Sequence, residues 1–109
     1  MEEDMKNYAN LYGYSDVKPY EVVRVVSEKT IEVRPMKVDK DPNWKPEIIA
    51  GGFAGHCINQ HEQTWIITSD EEAKTIRIRY SAKKGCFQNK YGDRFKLADQ
   101  PRYYYDYNF

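Results

Sequence analysis

Three short stretches of the chain alternate apolar and polar side chains with a period of two. They are "TIEVR" at 30–34, "TIRIRYS" at 75–81 and "DRFKLAD" at 93–99. A helix gathers residues three and four apart onto one face, whereas a strand sends successive side chains to opposite faces. Ile31 and Val33 thus oppose Glu32 and Arg34. Ile76, Ile78 and Tyr80 oppose Thr75, Arg77, Arg79 and Ser81, and Phe95 and Leu97 oppose Arg94 and Lys96. Such alternation belongs to an antiparallel sheet with one wet face. The β-branched run Tyr20–Val26 is separated from Thr30–Met36 by the polar Ser27–Glu28–Lys29, which predicts a hairpin. "TWIITS" at 64–69 adds a strand before the acidic turn "DEEAK".

A length of 109 residues argues for one domain with one core. Aromatic residues make up 15% of the chain, and each buried ring removes roughly 150–250 Å² from water, so a few hold a modest core together. The expected fold is mostly all-β: a small single-domain barrel or curled antiparallel sheet of about six strands, SH3-like or OB-like. One long loop, residues 37–61, carries two prolines and three glycines within "DPNWKPEIIAGGFAGHCINQ". Residues 1–17 are acidic and polar and read as a tail or short helix, with residues 18–109 as the β-rich domain. The end, "PRYYYDYNF", places Tyr103, Tyr105, Tyr107 and Phe109 on one face at period two, which predicts a last strand closing the core.

Several classes drop out. No run approaches the ~20 apolar residues that span a bilayer, and the acidic start lacks the basic and apolar regions of a signal peptide. The expectation is a cytoplasmic protein without membrane association. Cys57 and Cys86 predict two free thiols in a reducing compartment. Internal repeats and heptads are absent.

Charge is the strongest functional signal. The net charge is zero, yet residues 1–73 hold 8 Lys/Arg against 14 Asp/Glu, while residues 74–109 hold 9 against 3. Arg77, Arg79, Arg94 and Lys96 fall on the outward faces of their strands. Lys83, Lys84 and Lys90 lie between them, interleaved with Phe87 and Tyr91. Several cations on one surface release counterions from a phosphate backbone, and neighbouring rings stack on bases. The bland alternatives are pairing with the acidic half, or an ordinary solvated face.

Other chemistry is weaker. His56, Cys57, His61 and Cys86 are the four N/S candidates for zinc, but their spacing contains no C-x₂-C or H-x₃-H pair. No metal or cofactor is therefore expected. "GGFAGH" has no following Lys-Ser/Thr and reads as a turn that tucks Phe53 inward. Cys57 beside His56 or His61, or Asp106 among tyrosines, are nominal catalytic groups with no orienting partner or oxyanion donor in the pattern. The chain does not read as an enzyme.

The segments "PYEVVRVVSEKTIEVRPM", "GGFAGHCINQ" and "YYDYNF" together resemble short proteins encoded by bacteriophages and prophages, over most of residues 18–109. The resemblance implies a bacterial cytoplasm as setting and brings no assigned activity, so no site residue is carried over from it. The leading expectation is a non-enzymatic module binding nucleic acid or a nucleoprotein through the basic face. A second is an inhibitor or accessory protein that docks on a host protein, for example in anti-defence, with Trp44 and Phe53 of the long loop as anchors. A third is a structural subunit.

Overall fold

The computed structural model describes residues 6–51 and 54–108. Strand accounts for 49% of the chain and helix for 3%, so sheet closure and not helix packing must bury the core. The strands are β1 (Tyr8–Tyr12), β2 (Val17–Lys18), β3 (Tyr20–Ser27), β4 (Thr30–Pro35), β5 (Lys37–Lys40), β6 (Ile48–Gly51), β7 (Ala54–Cys57), β8 (Trp65–Thr68), β9 (Ile76–Ser81), β10 (Cys86–Gln88) and β11 (Arg94–Ala98). Among the described residues a 3₁₀ turn spans Gln60–Glu62.

Six strands close an antiparallel barrel in the order β1-β3-β4-β9-β10-β11, with β2 added beside β1. Closure comes from β1 and β11, paired from Tyr8↔Ala98 to Tyr12↔Arg94. The predicted hairpin is present as β3–β4, with Ser27 opposite Thr30 across the Glu28–Lys29 turn. Inside lie Ala9, Ile31, Val33, Ile78, Phe87 and Phe95, with Leu11, Tyr20, Val22, Ile76 and Leu97 packed against them. These are the apolar members of the alternating stretches. Tyr20 meets Phe95 edge-on at 5.1 Å.

Three expectations are corrected. The first concerns residues 1–17, read as a tail or short helix. Tyr8–Tyr12 is instead the strand that closes the barrel, and its Ala9 is fully buried. "YANLY" alternates weakly because Asn10, on its outer face, is buried too. Asn10 donates from Nδ2 to the Gln100 carbonyl at 3.1 Å and accepts the Arg102 N–H at 2.9 Å.

The second concerns the aromatic end. Residues 101–108 form no strand: their ladder contact is one bridge, Tyr104↔Val17. The chain runs as a strap across the outside, and Tyr105 is 48% exposed. Side-chain amides hold it. Gln63 accepts the Tyr105 N–H and donates to the Tyr105 carbonyl, each at 2.8 Å. Gln60 accepts the Tyr107 N–H at 2.8 Å, and Asn108 exchanges two bonds with the Cys57 backbone. Phe109 lies outside the described residues.

The third concerns the long loop 37–61. It contains β5, which pairs with β8 in one two-stranded sheet, and the β6–β7 hairpin, which forms another. Both are insertions between the barrel neighbours β4 and β9. The stretch lacked visible periodicity because ribbons this small bury little and need no strict alternation.

Candidate nucleic-acid interface

Directly opposed residues of an antiparallel pair project from the same face. The register Thr30↔Arg79, Arg79↔Gln88, Gln88↔Arg94 and Arg94↔Tyr12 therefore lays one row across the outside of the barrel. Lys96, two residues beyond Arg94, belongs to the same outer face. Lys83 and Lys84 ride the β9–β10 turn and Lys90 the β10–β11 turn, at opposite ends of β10.

The turns are built for this. Gly85 closes the first with a φ of 71°, and its N–H reaches the Ser81 carbonyl at 2.7 Å. A side chain is strained there, so glycine is the fitting residue. Asn89 organises the second turn. Its Oδ1 accepts the N–H groups of Tyr91 and Asp93 at 2.9 and 3.0 Å, and its Nδ2 donates to the Asp93 carboxylate. The clasp presents Lys90 and Tyr91 to solvent, with the Lys90 ammonium 5.2 Å from the ring centre. Tyr91 is 77% exposed. Arg77, Arg79, Tyr80, Gln88 and Lys90 line a shallow cavity of about 460 Å³ between them.

Electrostatics divide the outer face in two. On the β3–β4 side the charges are matched. Glu32 takes Arg24 at 3.1 and 3.2 Å and Arg77 at 3.0 Å, and these hydrogen bonds hold its carboxyl below the usual carboxylate range. Glu21 takes Arg34 at 3.2 Å and the Ser69 hydroxyl at 2.9 Å. On the β9–β11 side, Arg79, Lys83, Lys84, Lys90, Arg94 and Lys96 form no ion pair among the described residues. Lys96 instead lies 5.3 Å from the Tyr12 ring centre. Of the predicted basic set, only Arg77 is engaged by an acid among the described residues, and Phe87 is a core residue at 7% exposure. Gln88, Tyr12 and Asn89 were missed because neither a short strand nor the turn that follows it announces a face until the register is known.

The other candidates are dispersed. His56 and Cys57 lie on β7, His61 in the 3₁₀ turn and Cys86 on β10, and both thiols are buried and free. Among the described residues no three of His, Cys, Asp and Glu gather as metal ligands. The Cys57 thiol contacts Asn59 Oδ1 at 3.4 Å. Trp44 is half-buried, its ring centre 5.6 Å from that of Tyr107. Phe53 lies outside the described residues. No described helix is long and apolar enough to cross a membrane.

No protein-family model matches the chain, and neither a curated protein nor a solved structure is significantly similar to it.

Proposed function

We propose that this barrel is a non-enzymatic module that binds single-stranded nucleic acid, free or within a nucleoprotein, along the outer face of β9, β10 and β11. The observation that carries this reading is the row Arg79–Gln88–Arg94, whose cations have no ion-pair partner among the described residues while Arg24, Arg34 and Arg77 are matched by glutamates. Unmatched cations release the counterions of a phosphate chain. The exposed Tyr91 offers a ring face on which bases stack irrespective of sequence. In a bacterial cytoplasm, the setting implied by the resemblance to phage proteins, such a module would meet RNA and displaced DNA strands.

Fluorescence anisotropy with labelled single-stranded RNA and DNA, at two salt concentrations, tests the reading. Each phosphate contact contributes about −0.7 to the log–log salt slope on single strands. Arg79→Glu with Arg94→Glu abolishes binding while the circular dichroism spectrum stays native. Arg77→Ala weakens it less, because Glu32 already holds that guanidinium. Binding that ignores salt and survives the double substitution sinks the proposal.

A second reading, docking on a host protein, is favoured by Ile48, Ile49 and Ile58 around the β6–β7 hairpin, each 43–55% exposed. A partner protein retained at high salt by the double variant would support it.

A further inference from the structure

Away from the basic face, the inserted β5–β8 sheet, the 41–46 turn and the C-terminal strap line an open cavity of about 500 Å³. Its walls are the rings of Trp44, Trp65 and Tyr107, with Pro46 beside them and Lys40 and Lys45 also lining it. Both tryptophans of the chain are in this one place. Ligand sites of about 300–1,000 Å³ are mostly apolar, with a few placed polar groups, and this cavity has that make-up.

Its walls are held in place before any ligand arrives. Asp41 Oδ1 accepts the Asn43 N–H at 2.9 Å and Oδ2 accepts the Thr64 hydroxyl at 2.9 Å, which ties the Trp44 turn to the start of β8. Asn59 secures the far side of that turn, donating to the Lys45 carbonyl and accepting the Glu47 N–H. Trp65 Nε1–H donates to Gln63 at 2.7 Å, and its ring meets Tyr103 edge-on at 4.7 Å. Tyr107 arrives on the strap through Gln60. The third wall is therefore contributed by the last residues of the chain.

The charge inside selects among occupants. The one carboxylate, Asp41, has both oxygens engaged by its own turn, while neither lysine has an ion-pair partner among the described residues. A methylammonium group would find rings but face two uncompensated ammonium groups. A proline-rich peptide would find rings and leave the lysines unused. A flat aromatic group carrying negative charge uses both features. We propose that this cavity binds a nucleotide, the base packed against the rings of Trp44, Trp65 and Tyr107 and the phosphate met by Lys40 and Lys45. The site stands independently of the basic face: the nucleotide could be free or one unit of a strand, and only the latter rests on the proposed function.

Because both tryptophans line the cavity, intrinsic fluorescence excited at 295 nm reports on it directly. Titration of the full chain with adenosine and uridine 5′-monophosphates should give saturable quenching. The nucleosides should bind more weakly, and inorganic phosphate should quench nothing. Lys40→Ala with Lys45→Ala should weaken the monophosphates by about tenfold, the loss expected from a charge-assisted contact, and leave the nucleosides unchanged. Tyr107→Leu, at a wall and not in the barrel core, should weaken both. A parallel titration with an eight-nucleotide single strand separates the two sources: saturation by the strand at far lower concentration than by monophosphates, with that advantage lost in Arg79→Glu/Arg94→Glu, makes the strand the ligand. No saturable quenching of the unmodified protein by either overturns the proposal, as does equal quenching by nucleoside and nucleotide, or quenching by a proline-rich peptide or choline alone. Absence of anisotropy binding by the unmodified protein, with quenching by the monophosphates intact, would overturn the basic-face reading and leave this site standing.

Discussion

Phe95 and Tyr105 show how little a ring's identity says about its energetic weight. Phe95 is fully buried, packed edge-on against Tyr20 and opposite Phe87 across β10 and β11. Its truncation to alanine leaves a cavity the barrel cannot collapse into, and should cost about 3–5 kcal/mol in urea unfolding. Tyr105 lies on the strap at 48% exposure, and its ring touches Tyr107 at 4.8 Å. Its backbone bonds to Gln63 survive truncation, so Tyr105→Ala should cost about 1 kcal/mol, the worth of one aromatic pair. Equal losses in the two variants would mean that the strap belongs to the core.

The elements owe their places to partners far away in the chain. β1 is only five residues long and has β11 as its main partner, across a separation of 82 to 90 positions. The strap is then fastened to β1 from outside, because the Asn10 amide takes both the Gln100 carbonyl and the Arg102 N–H. Asn10→Ala leaves two sheltered backbone groups unpaired. The expected loss is about 1–3 kcal/mol in chemical unfolding, with faster hydrogen exchange at Arg102 than in the β3–β4 hairpin. A neutral result would show that water replaces the amide there and that the strap is held by Gln60 and Gln63 alone. The weak alternation of "YANLY" hid this strand. Asn10 satisfies a neighbouring segment, and no propensity rule anticipates a polar residue buried on an outer face.

As a whole the molecule is longer than a compact chain of its size. Its radius of gyration is 16.1 Å and its extents are 51 × 30 × 24 Å, against about 13 Å for a compact domain of this length. The elongation fits two small sheets inserted between β4 and β9 and a strap running from β1 to the Cys57 backbone. Stability should respond to acid through the charge-matched side of the barrel. Glu32 is held below its ordinary pKa of 4.5 by hydrogen bonds from Arg24 and Arg77. Its contribution is thus fully present above that value and is lost as pH falls through the lower folded value. Thermal unfolding followed from pH 6 to pH 3 should show a falling midpoint, and Glu32→Gln should flatten the fall. An identical slope in the variant would place the acid sensitivity in another carboxylate, with Asp41, also held low by the Asn43 N–H and the Thr64 hydroxyl, next in line.

The strand class, the β3–β4 hairpin, the inward set Ile31, Val33, Ile76, Ile78, Phe95 and Leu97, and the outward basic residues were all legible in the chain. Period-two patterning is a local property, and burial of one face enforces it residue by residue. Closure, register and charge matching were not legible, because they are relations between distant segments. Arg77 and Arg79 are equivalent by pattern, yet register sets one opposite Glu32 and the other opposite Thr30. The tyrosines of the strap alternate like a strand, but β1 already occupies the edge of β11 that a closing strand would need. Trp44, Trp65 and Tyr107 share no spacing at all, and only the path of the strap brings the third to the other two.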